Sequence, residues 1–293
     1  MSKIRECFKS RREFGHLIEA DYSQLEINVL ALLSKDAMLI KDLKSGRDLH
    51  TMRASELYNI KEYDVTPKQR RLAKTLSFQL QYGAGAKTMA EINKIPQKLA
   101  KDFIYNFFDR YEDVFNWHQD LLRHVSENLT KSMTPELVGE RTPMGLSRHK
   151  CEMTTATGRN LVFKDYDSKY RKGETAFSPT EIKNYPVQSV ATDIMKIALG
   201  ALAYKVWFDE DICIINTIHD NIMLDVSEEN HTKACKLLTW AMLDRTTEIL
   251  KKRYNIELPV PLEIEIKSGG SWDCMKKVDL PFMQYKGVDI HNI

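Results

Sequence analysis

The sequence predicts an α+β protein: an antiparallel sheet with packed helices, its strands drawn from both ends of the chain, and a mainly helical insertion between them. Three observations lead there. Short apolar and β-branched blocks stand at HLIEAD (16–21), DICIINTI (211–218), IMLDV (222–226) and PLEIEI (261–266). The long middle of the chain repeats its apolar residues at helical spacing. Between the second and third blocks the pair Asp220-Asn221, with His219 on one side, reads as a two-residue hairpin turn, which makes those strands antiparallel neighbours.

Taken in order, HLIEAD is a strand ending in an acid, and LEINVLALLS (25–34) is the helix after it. Residues 36–60 read as short helices, with Asp48 a cap before LHTMRASELY. The helix over 67–82 is the best specified. Thr66 is its N-cap, Pro67 suits its first position, Gln69 completes a capping box and Gly83 is a natural stop. The stretch 100–129 is helical with a break expected near Tyr111. Turn formers and β-branched residues concentrate at 133–177, where a hairpin-like insert is expected. Asn184-Tyr185-Pro186 opens a helix to about residue 207, a further helix covers 229–253, and Trp272 anchors the tail.

Composition narrows the function only by exclusion. The 293 residues carry a formal charge of +2, so bulk charge does not single out nucleic acid as a ligand. Basic residues gather instead at Lys68, Arg70, Arg71, Lys74 and Lys87. Five scattered cysteines without a CxxC pair argue against a zinc site or disulfide frame and for a reducing, cytoplasmic compartment. The first residues lack the apolar core of a signal peptide, and no apolar run is long enough to cross a membrane.

Chemistry is concentrated on the helix over 67–82. Arg70, Lys74, Phe78 and Tyr82 recur every fourth position, a step that drifts by only roughly 40° around the axis, so they share one stripe. Leu72, Leu76 and Leu80 form a separate packing face. A merely solvated polar face accounts for the two cations but not for two aromatics on the same stripe. Two cations followed by two aromatics suit a ligand with a polyphosphate at one end and a flat ring at the other, a nucleoside triphosphate. Asp21 at a strand end and Asp220 at a hairpin tip add two carboxylates of the kind that hold paired Mg²⁺ ions, although each alone also reads as cap or turn chemistry.

These residues, in this order, resemble family A DNA polymerases. DYSQLE (21–26) resembles motif A, RRLAKTLSFQLQYG (70–83) motif B, IHDN (218–221) motif C, and NYPVQSVATDIMK (184–196) the helix that lies against primer-template; FSPTEIKNYPVQ reads like the phage members. The resemblance implies a first palm segment over 1–40, fingers with the hairpin insert over 41–177, and a second palm segment over 178–293. It implies that Asp21 and Asp220 are catalytic metal-binding acids, with the Tyr22 carbonyl a further ligand, for two Mg²⁺ ions that Mn²⁺ can replace. Gln24, Glu26, His50, Arg70, Lys74, Phe78 and Tyr82 become dNTP contacts, with Glu26 as the steric gate that favours deoxynucleotides. Asn184, Gln188, His219 and Asn221 become primer-template contacts. The implied activity is template-directed transfer of dNTPs to a primer 3′ hydroxyl, in the host cytoplasm for a phage protein.

The departures are informative. Asn221 stands where motif C usually has Glu, Gln79 replaces a glycine common after the motif B Phe, and Thr180 stands where many members have Arg. The family's thumb, its following primer-gripping stretch and any exonuclease find no match in this sequence. The expectation is therefore a palm-and-fingers chain, from a split or truncated polymerase, whose thumb and exonuclease come on a second polypeptide. A non-catalytic DNA-binding or assembly subunit is the alternative from another class. An RNA polymerase relative is a third, against which Glu26 speaks.

Overall fold

A computed structural model of the chain describes residues 3–137, 146–167 and 175–278. Its secondary structure is α+β. Strand β1 (His16–Tyr22) leads into helix α1 (Leu25–Ser34), followed by α2 (Ala37–Lys44), α3 (Leu49–Tyr58), α4 (Pro67–Gln81), α5 (Ala86–Asn93), α6 (Gln97–Arg110) and α7 (Glu112–Glu127). Strands β2 (Thr130–Leu137), β3 (Leu146–Thr154) and β4 (Asn160–Lys164) form a small antiparallel sheet, and β5 (Tyr166–Asp167) pairs with β6 (Thr175–Ala176). The long α8 (Pro179–Val206) precedes the hairpin β7 (Ile212–Ile218) and β8 (Asn221–Val226). Helix α9 (His231–Thr239) continues through a π-helical turn, Trp240–Arg245, into α10 (Thr246–Tyr254), and the described chain closes with β9 (Ile264–Gly269) and β10 (Lys276–Lys277). Contacts divide it into two units, Met1–Leu25 with Ala191–Ile293, and Glu26–Val190.

The first unit holds a five-stranded antiparallel sheet in the order β10-β9-β1-β8-β7. β1 is central, pairing Asp21 with Asn221 on one side and with Glu265 on the other. Because side chains alternate along a strand, Ile18, Ala20 and Tyr22 share one face with their partners Leu224, Ile222, Ile266 and Ile264, all buried. Tyr22 identifies what covers that face: its hydroxyl donates to the Met242 carbonyl at 2.6 Å. Two carbonyls of the π turn accept from side chains, Met242 from Tyr22 and Ala241 from the Thr246 hydroxyl at 2.7 Å. Trp272 closes the other face, donating from Nε1 to Glu19 at 2.8 Å, with its ring edge-on to Phe8.

In the second unit, two acids organise the helices. Asp36 caps α2 by accepting from the Leu39 amide at 2.7 Å, and its other oxygen accepts from the amides of Asp113 and Val114 at the start of α7. That is why the helical run breaks at Tyr111: the new N-terminus finds its acceptor in a distant side chain. Asp42 takes a bidentate grip from Arg110 at 2.7 and 2.8 Å and a third bond from the Tyr111 hydroxyl at 2.9 Å. A smaller apolar cluster of Leu121, Val125, Cys151, Phe163 and Ile182 joins α7, the small sheet and α8.

Most expected elements stand where the sequence puts them, with four differences. The two hairpin residues are His219 and Asp220, one position earlier than Asp220-Asn221, because Ile218 pairs with Asn221 and His219 takes a left-handed φ of 56°. α8 starts at Pro179, not at Asn184: Ser178 caps it, accepting from the Glu181 amide, and Pro186 is tolerated inside. The last main strand is Ile264–Gly269, since Pro259 and Pro261 lack the N–H a ladder needs. The insert at 133–177 is three strands plus a short pair; its residues 138–145 and 168–174 lie outside the described chain.

Candidate active site

The residues singled out by sequence fall into two clusters, one in each unit. In the first unit, Asp21 ends the central strand and Asp220 forms the hairpin tip, tied together by the Tyr22 amide donating to the Asp220 carbonyl at 3.2 Å. The Asp21 carboxyl is pushed up to about 6, first by burial, then by the charge of Asp220 and of Glu19, against a smaller lowering by Lys267. Asn221, opposite Asp21 in the ladder and 8% exposed, presents its side chain on the same face. Its Oδ1 is buried and has no hydrogen-bond partner among the described residues.

Such a site suits a divalent cation. Two carboxylates close enough to share a proton repel each other once both are ionised, and an orphaned amide oxygen wants a positive partner. All three are hard oxygen donors, which match Mg²⁺ better than a softer metal. Among the described residues no group of three or more His, Cys, Asp and Glu side chains gathers around a metal position. Gln24 and His219 flank the cluster, both with left-handed backbone, at φ 55° and 56°.

The second cluster is built on α4. The capping box is present: Thr66 accepts from the Gln69 amide, and Gln69 accepts from the Thr66 amide at 2.9 Å. Ala73, Leu76 and Leu80 are buried, while Arg70, Lys74, Phe78 and Tyr82 form the exposed stripe, Phe78 at 44% and Tyr82 at 47%. Tyr82 is one residue past the last helical turn, and Gly83 stops the helix at φ 75°. A side chain at Gly83 would meet Thr180 at 2.9 Å, so the glycine is needed for space as well as for φ.

The stripe is populated in the order a triphosphate and base would need. Arg70 donates from Nε to the Asp48 carboxylate. The Lys74 ammonium sits 5.7 Å above the Phe78 ring, and the His50 ring lies 6.1 Å from it. His50 is pushed down to about 4 by burial, then by the charge of Arg53, so it is a neutral imidazole at physiological pH and not a cation. The Tyr82 hydroxyl contacts Glu26 Oε1 at 3.4 Å. Glu26 also lines a cleft of about 410 Å³ with Asn184 and Gln188 of α8. Two residues of that cleft, His118 and Lys183, were not singled out by sequence; burial lowers the pKa of both, and Lys183 stands unmarked within FSPTEIKNYPVQ. Gln79 accepts from Asn93 at 2.7 Å and ties α4 to α5.

Comparisons with known proteins identify the family. The sequence profile of "DNA polymerase family A" matches residues 1–274. The chain is 30% identical over 273 residues to DNA polymerase I of Treponema pallidum, covering 92% of this chain and 24% of that one. It is 28% identical to the thermostable DNA polymerase I of Thermus aquaticus, covering 94% and 29%. Among solved structures, the POL domain of Pol1 from M. smegmatis, in complex with DNA primer-template and dNTP, aligns with a TM-score of 0.66 and 26% identity, over 92% of this chain and 42% of that one. The chain thus spans about a quarter of the length of the curated relatives it matches.

Proposed function

The chain belongs to DNA polymerase family A, and from that premise we propose that it carries the palm and fingers chemistry of template-directed DNA synthesis, transferring dNTPs to a primer 3′ hydroxyl. The observation that carries the proposal is the Asp21–Asp220 pair, two acids brought side by side where the Tyr22 amide donates to the Asp220 carbonyl and Asp21 pairs with Asn221 next to the hairpin tip.

Residues 1–40 and 178–293 act as palm, and 41–177 as fingers with the small sheet as insert. Asp21 and Asp220 would hold two Mg²⁺ ions, with the Tyr22 carbonyl as a further ligand, and Mn²⁺ would serve in their place; bound there, such ions would supply activation of the primer hydroxyl and neutralisation of charge on the departing pyrophosphate. Asn221 supports the site with an uncharged oxygen where an acid would add charge. His219 and Asn221, with Asn184 and Gln188, contact primer-template, and Gln24 adjoins the nucleotide. Arg70 and Lys74 take the phosphates, and neutral His50 donates a hydrogen bond to them without adding charge. Phe78 and Tyr82 present ring faces to sugar and base, and Glu26 fills the space of a ribose 2′ hydroxyl.

A second polypeptide supplying further grip on the duplex is a finer element of this reading, as is a phage setting in the host cytoplasm, to which FSPTEIKNYPVQ points. Primer extension with Mg²⁺ and dNTPs, by the chain alone and with candidate partner chains, tests the whole. Asp21→Ala and Asp220→Ala should each abolish addition in folded protein. Synthesis by either variant sinks the assignment of the acids.

A further inference from the structure

We propose that Asp48 is the positioning residue for two of the triphosphate contacts: it aims Arg70 at the triphosphate and sets the helix start that carries His50. The inference rests on the reading of Arg70 and His50 as phosphate contacts.

The geometry is specific. Asp48 is the N-cap of α3. One carboxylate oxygen accepts from the His50 amide at 3.1 Å; the other accepts from the Thr51 hydroxyl at 2.6 Å and from Arg70 Nε, 22 residues along the chain. Burial alone would raise this acid. The hydrogen bonds from Arg70, Thr51 and His50 outweigh it and hold Asp48 well below the usual carboxylate range. Asp48 is therefore an anion with its own position fixed on three sides.

What it leaves free matters as much. The bond to Arg70 uses Nε only. Among the described residues, the two terminal nitrogens carry no hydrogen bond or ion pair. A guanidinium held at Nε keeps the outer edge of its fork, the edge that meets phosphate oxygens in pairs. A free arginine would lose rotamer freedom when phosphate binds, whereas one already held loses less. An opposing effect is the repulsion between Asp48 and a phosphate. Asp48 binds the Nε edge, so the guanidinium stands between it and a phosphate on the outer edge, and at this exposed site water and salt weaken the repulsion. Orientation therefore outweighs repulsion.

The same carboxylate also registers α3 against α4. His50 is two residues past the cap, and its ring lies beside Phe78 on the nucleotide stripe. One acid thus fixes the spacing between an imidazole donor on one helix and a guanidinium on another.

Asp48→Ser separates the two roles, because serine caps a helix as well as aspartate but is too short to reach Arg70. Asp48→Asn keeps the cap and an uncharged acceptor. KM for dNTP and kcat in primer extension, with the dNTP Kd from isothermal titration in Mg²⁺ on the chain itself, read the effect. Asp48→Ser should raise KM and Kd about fivefold, the upper end for an exposed ion pair, with kcat within about twofold and Asp48→Asn in between. Arg70→Ala should raise them about tenfold or more, and Asp48→Ser added to Arg70→Ala should change nothing further. If Arg70→Ala leaves KM and Kd untouched, the reading of Arg70 fails. If Arg70→Ala has its effect while Asp48→Ser has none, lowers KM, or adds fully to Arg70→Ala, the positioning role is overturned and the reading of Arg70 stands.

Discussion

Asp21 and Asp48 are the same amino acid in opposite circumstances. Asp21, on the sheet of the first unit, is half-buried among Asp220 and Glu19 and pushed up to about 6. Asp48, at a helix start in the second unit, receives three hydrogen bonds, one from a guanidinium, and is held far down. The sheet unit gathers negative charge without enough positive charge to balance it; the helical unit pairs its charges and covers them with rings. An unbalanced pair of acids is a demand for a cation from outside. A balanced pair is a mechanical fitting, whose partner is already in place. The chemical type of a residue does not separate the two; its neighbours do.

The comparison breaks most visibly at the two sheet acids. Asp21→Ala or Asp220→Ala should lower primer extension by at least about a thousandfold, the scale of several kcal/mol of transition-state charge stabilisation, with circular dichroism unchanged. A second test targets a balanced acid elsewhere in the helical unit. Asp42→Ala strands Arg110 and the Tyr111 hydroxyl, and should destabilise the fold by about 2 kcal/mol in urea denaturation, below the value for a fully buried pair because Arg110 is partly exposed.

The sheet acids sharpen the comparison through pH. Asp21 binds its proton more tightly in the folded than in the unfolded protein, so its contribution to stability is full below about pH 4 and is lost as pH rises through about 6. Without divalent ions the melting temperature should carry a downward component over that window, and Asp21→Asn should remove it. Added Mg²⁺ should raise the melting temperature above pH 6 and barely at pH 4.5; equal shifts at both would mean the ions bind elsewhere. The smallest effect is local: Thr66→Ala removes one half of the capping box of α4 and should cost about 1 kcal/mol in thermal unfolding.

Legibility in the sequence followed range. The capping box of α4, its four-residue stripe and the Asp48 cap are contacts within a turn or two, and their signals are local. The break at Tyr111 was visible as a place, but its cause, Asp36 capping α7 from 77 residues away, was not. The hairpin slipped by one residue because only the backbone shows His219 in the left-handed region. The closeness of Asp21 and Asp220 needed the pairing of β1 with β8, which no local periodicity encodes. The tie between Asp48 and Arg70 was hidden for the same reason: each residue already had a satisfactory local reading.

The π turn between α9 and α10 has a consequence for motion. A carbonyl of that turn, Met242's, accepts from the phenol of Tyr22, the residue directly after Asp21. The helix register and the end of the central strand are thus clasped by one hydroxyl. Amides around Trp240–Arg245 and the amide of Tyr22 should exchange with solvent as a single opening event, and Tyr22→Phe should uncouple them while leaving the ring packed.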